Sequence, residues 1–476
     1  MSARPILYLL ALAACDPGAQ QGDLVSSDQR VDMAGPDDEK DASGTEMCNT
    51  PAGYVYVVWS DDRDGTPAVW LNRSTDAGRS WMPAAVQVSH GQGAAVNPDV
   101  ACVNDSVYVV WEDDRDGELE NHNIYYNVSA DRGQTWSAQD VALDDDEDGK
   151  AMSLGPQIAA AGTQVHIAWY DAVNGAYDIL VASSTDQGLS FAAPVRVDSD
   201  VAGEAYSASP QIAIDGMSHV YVAWEDSRRG LSDVYFAVSA DAGRTYSQDK
   251  RLDGGDDAGS HNSFAPRLAA ADGQVYVVWH DERNGAGRDV FLNWSGDHGV
   301  SWQGEATRVD SDGAGFFDSL YPDLAIGAGV AHIAWEDARS AGYDIYYRRV
   351  VDGVPDAPEV RLDTDGAGFG QSLHPKVAVG EANLVVAWQD RRDDAGGYGY
   401  NDLYYNFSED MGLTWSRDDL RVDNIEEGTS YAVELNVGLH RGELLAAWTD
   451  GRRGNADVYF HHLQVGEAAS YVVAGE

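Results

Sequence analysis

From Tyr54 onward, short runs of β-branched and aromatic residues alternate with clusters of Gly, Asp, Ser and Asn, and the alternation repeats along the chain. Eight apolar runs, among them "VYVVW", "VHIAW" and "LVVAW", end in tryptophan: Trp59, Trp111, Trp169, Trp224, Trp279, Trp335, Trp388 and Trp448, spaced 52 to 60 residues apart. A period of this size marks a repeat architecture. One period, read from Ser209, divides into "SPQIAIDG", "HVYVAWED", "DVYFAVSADAG" and "RTYSQDKRLD", four short strands bounded by turn formers. Four-stranded units repeated about an axis predict an all-β fold, a β-propeller whose blades bury their faces against one another. The rungs of a β-solenoid are much shorter than these periods. Eight second strands and eight third strands predict eight blades. Seven is the alternative, because "MCNTPAG" before Tyr54 is a poor first strand; the C-terminal "ASYVVAG" is the expected substitute that closes the ring.

Composition agrees with many strands and tight turns, with 50 Gly, 24 Tyr and 14 Trp in 476 residues. Acidic residues outnumber basic ones 79 to 31, a net charge of −48. Such a surface repels phosphate backbones, which argues against nucleic acid, and repels anionic lipid headgroups. Cations, proteins and glycans stay open as partners of an expected monomer.

The N-terminal "MSARPILYLLALAAC" has an apolar run too short to span a bilayer and the layout of an export signal. Leu12-Ala13-Ala14-Cys15 resembles the lipobox of bacterial lipoproteins, which implies cleavage before Cys15, a lipid on that cysteine and a place in the bacterial envelope. Membrane contact would then be through the lipid alone. Residues 16–46 are acidic and nearly free of aromatics, the composition of a flexible tether, leaving 47–476 for the propeller. Cys48 and Cys102 are expected to form a disulfide in an oxidising compartment, two buried thiols being the alternative.

Six turns share Ser-x-Asp-x-Gly-x-Ser/Thr-aromatic: "STDAGRSW", "SADRGQTW", "STDQGLSF", "SADAGRTY", "SGDHGVSW" and "SEDMGLTW", with Asp76, Asp131, Asp186, Asp241, Asp297 and Asp410. They resemble the Asp box, or bacterial neuraminidase repeat, of sialidases and other propellers. The resemblance covers roughly residues 54–466; the sixth repeat ("VVDGVPDAP") and the eighth lack the box. The resemblance implies that the boxes join third to fourth strands on the face away from a ligand. Their chemistry is local: the carboxylate accepts hydrogen bonds within its own turn, the Gly permits positive φ, and the ring packs beneath the hairpin.

On the other face, loops between second and third strands read Trp-x-Asp-x-Arg, placing Arg63, Arg115, Arg228, Arg283, Arg339, Arg392 and Arg452 at equivalent positions; "WYDAV" alone lacks the arginine. Guanidinium forks suit carboxylate ligands. Repetition favours a structural role, each arginine pairing with an Asp of its own or the adjacent blade. Blade-linking loops carry "DSDVAG", "DSDGAG" and "DTDGAG", with Asp198 and Asp200, Asp310 and Asp312, and Asp363 and Asp365. Alternating carboxylates before a Gly suit a hard cation, calcium being the candidate, or form plain Asp-Gly turns.

The resemblance raises a sialidase first, yet the Phe-Arg-Ile-Pro-like motif of that family is missing after the signal segment and no Tyr/Glu nucleophile pair stands out. A non-catalytic binding or scaffold module, holding a protein or carbohydrate on its acidic loop face, needs no missing residues. The alternative is an exo-sialidase-like or other glycoside hydrolase, which would need two carboxylates a few ångströms apart. No catalytic residue is singled out.

Overall fold

The computed structural model describes residues 27–32, 41–116, 121–144, 151–216, 218–394, 397, 399–426, 428–429 and 431–466. Within them the chain forms eight antiparallel sheets and no helix. Blade three shows the plan: first strand Ser153–Ala161, second Gln164–Asp171, third Asp178–Ser184 and fourth Val195–Arg196, paired in that order. First strands of successive blades touch all the way round, and that of blade eight, Ala432–His440, returns to that of blade one, Ala42–Asn49. The protein is an eight-bladed β-propeller with its first strands innermost.

Second strands such as Val55–Asp61 and Leu384–Asp390 are buried along their whole length, which explains their continuous apolar runs. Among the described residues there is no single central core. Each hydrophobic cluster joins two neighbouring blades, as where Ala334, Ile345 and Tyr347 of blade six meet Leu384, Val386 and Trp388 of blade seven. The eight repeat tryptophans lie fully buried in these seams. Removing one such ring would cost about 3–5 kcal/mol.

Ring closure differs from the sequence expectation. Blade eight takes its fourth strand from the N-terminus: Gln29 pairs with Phe460 and Arg30 with Tyr459. Blade one has a first strand of its own, Ala42–Asn49, in register with Val55–Asp61. The expected tether over 16–46 therefore contains one propeller strand, Gln29–Arg30, and the first five residues of another, Ala42–Asn49, held by backbone pairing that needs no aromatic side chains. "ASYVVAG" lies outside the described residues, as do the signal segment and Cys15.

A disulfide joins Cys48 of blade one to Cys102 of blade two, with 6.0 Å between their Cα atoms. It links two innermost strands beside the ring closure.

Candidate functional site

The Asp boxes lie at the end of the ring where third strands turn toward fourth strands. In the box of blade seven, Ser408 Oγ donates to Asp410 Oδ1 at 2.8 Å, while Thr414 N and Thr414 Oγ1 donate to the two carboxylate oxygens at 2.8 and 2.6 Å. These donors hold the carboxyls of Asp131, Asp186, Asp241, Asp297 and Asp410 down at about 2, and Asp76 is likewise lowered. The box aromatics reach further than their own hairpin. Trp81, Phe191, Trp302 and Trp415 pack edge-on against Phe460, Tyr126, Phe236 and Tyr347 of the preceding blade, at 4.6 to 5.0 Å. Each box thus welds two blades.

Every arginine of the Trp-x-Asp-x-Arg loops is engaged within the scaffold. Arg283 Nε donates to Asp281 Oδ1 at 2.9 Å, and Trp279 Nε1 donates to Asp281 Oδ2 at 3.0 Å. Arg63, Arg115, Arg228, Arg339, Arg392 and Arg452 make the same ion pair with Asp61, Asp113, Asp226, Asp337, Asp390 and Asp450. All seven guanidinium groups also lie over a third-strand ring, at 4.0 to 4.3 Å. Blade three, with Val173 instead of arginine, has Leu180 opposite Trp169 where the others carry the ring. Arginine and ring are absent together, as expected of a packing device.

The three Asp-x-Asp loops converge as anticipated, each joined by the Asp that begins the third strand. Asp178, Asp198 and Asp200 form one group, Asp289, Asp310 and Asp312 a second, and Asp344, Asp363 and Asp365 a third; the oxygens of each group lie within 4.8 Å of one another. Such groups could hold a cation. A fourth-strand arginine also enters each: Arg196 pairs with Asp178 and Asp198 at 3.1 and 2.6 Å and with Asp200, Arg308 with all three of its group, and Arg361 with all three of its own. One guanidinium against three carboxylates leaves surplus negative charge. Burial raises Asp198, Asp310 and Asp363 well above the usual carboxylate range, aided by the neighbouring aspartates. The arginine signal was present as a recurring Arg-Val/Leu-Asp, at Arg196-Val197-Asp198, Arg308-Val309-Asp310 and Arg361-Leu362-Asp363.

One pocket breaks the eightfold repetition. A cavity of about 460 Å³ opens at the loop end of the channel, walled by blades five to eight and blade one. Its walls come from a bulge in the first strands. Each first strand has a register shift there, with one residue in the left-handed region: Gly44, Asn97, Gly155, Ser209, Ala265, Tyr321, His374 and Glu434, φ between 45° and 65°. Non-glycine residues pay about 1–3 kcal/mol for that conformation, and a bulge re-aims its side chain. Five of the eight are small, Gly44 at the pocket among them. The three large ones, Tyr321, His374 and Glu434, all line the pocket, with Tyr321 47% exposed.

Tyr321 meets His374 edge-on at 5.1 Å, and Tyr431, 48% exposed, lies on the same wall. Arg267, Lys376 and Arg391 bring positive charge to this otherwise acidic protein, beside Glu46, Asp323 and Glu434. Glu46 is raised far above the carboxylate range by burial and by Asp99, with Glu434 adding to the effect. Glu434 accepts from Thr45 N at 3.1 Å and Thr449 Oγ1 at 2.7 Å, which seats it across the seam between blades eight and one. Glu336 accepts from His374 N at 2.8 Å and is raised by burial to about 7. None of these pocket residues was singled out from sequence; the departure of Tyr321, His374 and Glu434 from small residues at one repeat position was the available signal.

The described residues thus form a propeller of four-stranded blades with Asp boxes on one face and a walled pocket on the other. The BNR repeat-like domain profile matches residues 53–333, and the chain belongs to that family. No curated protein matches the chain. Among solved structures, polysaccharide lyase Uly1 is 11% identical over 82% of this chain and 94% of its own, with a TM-score of 0.50. An α-L-arabinanase of Penicillium chrysogenum is 13% identical over 79% of this chain and 94% of its own (TM-score 0.43). The NanB sialidase of Streptococcus pneumoniae is 11% identical over 87% and 84% (TM-score 0.40). At these identities the likeness is one of fold.

Proposed function

We propose that this protein is an envelope-anchored propeller that binds a carbohydrate chain at the asymmetric pocket, using Tyr321 and Tyr431 as ring surfaces and Arg267, Lys376, Arg391, Glu46 and Glu434 as polar contacts. The observation that carries this reading is the pocket itself. An even ring of repeated devices serves the scaffold, whereas three bulky, strained bulge residues gathered at one side of the channel serve a ligand. Exposed Phe316, Phe317 and Phe369, at 78%, 39% and 62%, extend apolar surface onto the blade-linking loops after blades five and six. The experiment is affinity electrophoresis against a panel of neutral and acidic polysaccharides. Retardation by at least one polysaccharide, lost in a Tyr321→Ala, Tyr431→Ala double variant, is the expected result; wild-type migration on every polysaccharide would refute the reading.

A second reading, glycan cleavage, rests on Glu46. A carboxyl kept protonated near neutral pH beside a second carboxylate is the arrangement general acid catalysis uses. Reducing-end release abolished by Glu46→Gln and by Glu434→Gln would move the protein from binder to enzyme. Calcium is our proposed countercharge for the three aspartate groups, because flexible oxygen ligands suit that ion and one arginine leaves each group anionic.

A further inference from the structure

We propose that the Asp-box face carries a transition-metal site, suited to zinc, formed by Asp215, His219 and His298 with Tyr221 beside them. It is remote from the pocket and independent of the carbohydrate reading. The residues come from two blades. Asp215 and His219 bound the turn between the first and second strands of blade four, and Tyr221 lies one residue into its second strand. His298 belongs to the Asp box of blade five, whose backbone N–H is tied to Gly273 O at 2.8 Å.

The geometry converges on one point. Asp215 Oδ2 lies 2.8 Å from His219 Nδ1, 3.2 Å from His298 Nδ1 and 3.0 Å from Tyr221 Oη, and Tyr221 Oη lies 3.1 Å from His298 Nδ1. Ligands about 2.0–2.1 Å from a tetrahedral zinc stand roughly 3.3 Å apart, so the donor atoms are already spaced for the ion, and rotation of one imidazole out of the stack would aim both lone pairs at it. The two imidazoles stack at 4.2 Å and turn the same nitrogen toward the same carboxylate. Asp215 has a fully buried side chain, whereas His219 and His298 are 25% and 33% exposed, giving a fixed anionic base and an open approach. Two imidazoles and one carboxylate select zinc and its neighbours over calcium, which prefers oxygen.

The site also departs from the repeat. Five blades close this hairpin with two residues, as at Asn104-Asp105 and Ala328-Gly329; blade four uses residues 215–219, and the extra length supplies both Asp215 and His219. At the position of His298 the other boxes carry Ala77, Arg132, Gln187, Ala242 and Met411, so the turn does not require histidine.

The test is titration of the purified full chain, stripped with chelator, with Zn²⁺ by calorimetry and with Co²⁺ by visible absorption. One equivalent with the intense visible bands of tetrahedral Co²⁺ is expected. His219→Ala with His298→Ala should abolish that equivalent, while Asp310→Asn with Asp312→Asn should leave it intact. Alanine already occupies the His298 position in two boxes, so His298→Ala alone should keep the fold and weaken binding at least tenfold. Absence of a stoichiometric equivalent in wild type, or its persistence unchanged in the double histidine variant, would reduce the cluster to a hydrogen-bond network between blades.

Discussion

Arg452 Nη1 donates to Asp28 Oδ2 at 2.6 Å, across 424 positions of sequence. In blades two, four, six and seven the equivalent arginine pairs with the residue immediately before the fourth strand: Asp140, Asp249, Glu359 and Asp419. Asp28 stands just before Gln29–Arg30, so the N-terminal segment completes blade eight with the kind of acid that those four blades supply internally.

Both partners are nearly buried, at 11% and 2% side-chain exposure, so Arg452→Ala takes the guanidinium from Asp28 and Asp450 and leaves Asp28 with His461 as its ionic partner. We expect a loss of about 3–5 kcal/mol in urea unfolding. An unchanged midpoint would mean that backbone pairing and the Arg30 and His461 contacts hold the closing strand without this pair.

Gly412 has φ +80°, and a Cβ there would stand 1.9 Å from Tyr347 Oη of the preceding blade. Gly412→Ala should therefore destabilise by about 1–3 kcal/mol. Thermal unfolding of this variant beside Gly216→Ala, where a Cβ meets nothing within 4 Å, separates the seam contact from backbone strain.

Asp198, Asp310 and Asp363 are raised in the folded chain, so folding favours their protonated forms. That contribution is complete below the ordinary carboxylate value of about 4 and is lost as pH rises through the raised values. In chelator, the melting temperature should fall as pH rises toward 8. Calcium should reduce the fall more than magnesium, and Asp310→Asn with Asp312→Asn should blunt the calcium effect. A melting curve indifferent to chelator at fixed ionic strength would leave the arginines as the only countercharge.

The Cys48–Cys102 bridge ties blade one to blade two beside the closure. Its loss in Cys48→Ser, Cys102→Ser should cost about 2–4 kcal/mol. Detection of both thiols free in exported protein by non-reducing mass spectrometry would contradict it.

The lipobox-like Leu12-Ala13-Ala14-Cys15 predicts that the mature chain partitions into detergent. Cys15→Ala should move it to the aqueous phase; a variant that stays with the membrane would refute lipid anchoring at this cysteine.

Sequence by itself determined the repeat, favoured eight blades over seven, and showed the devices that most blades share. Trp-x-Asp-x-Arg and the Asp box are local: their hydrogen bonds lie within a few residues, so seven and six occurrences in register were enough to read them. Arg30-Val31-Asp32 carries the same fourth-strand signature as Arg196-Val197-Asp198, and Arg30 pairs with both Asp32 and Asp457. It was hidden in an acidic, apolar-poor segment because a two-residue strand owes its place to partners more than 400 residues away. Tertiary structure alone decided the pocket and the His219–His298 pair. Tyr321, His374 and Glu434 stand in three separate repeats, and His219 and His298 in two; only closing the ring brings them within reach of one another.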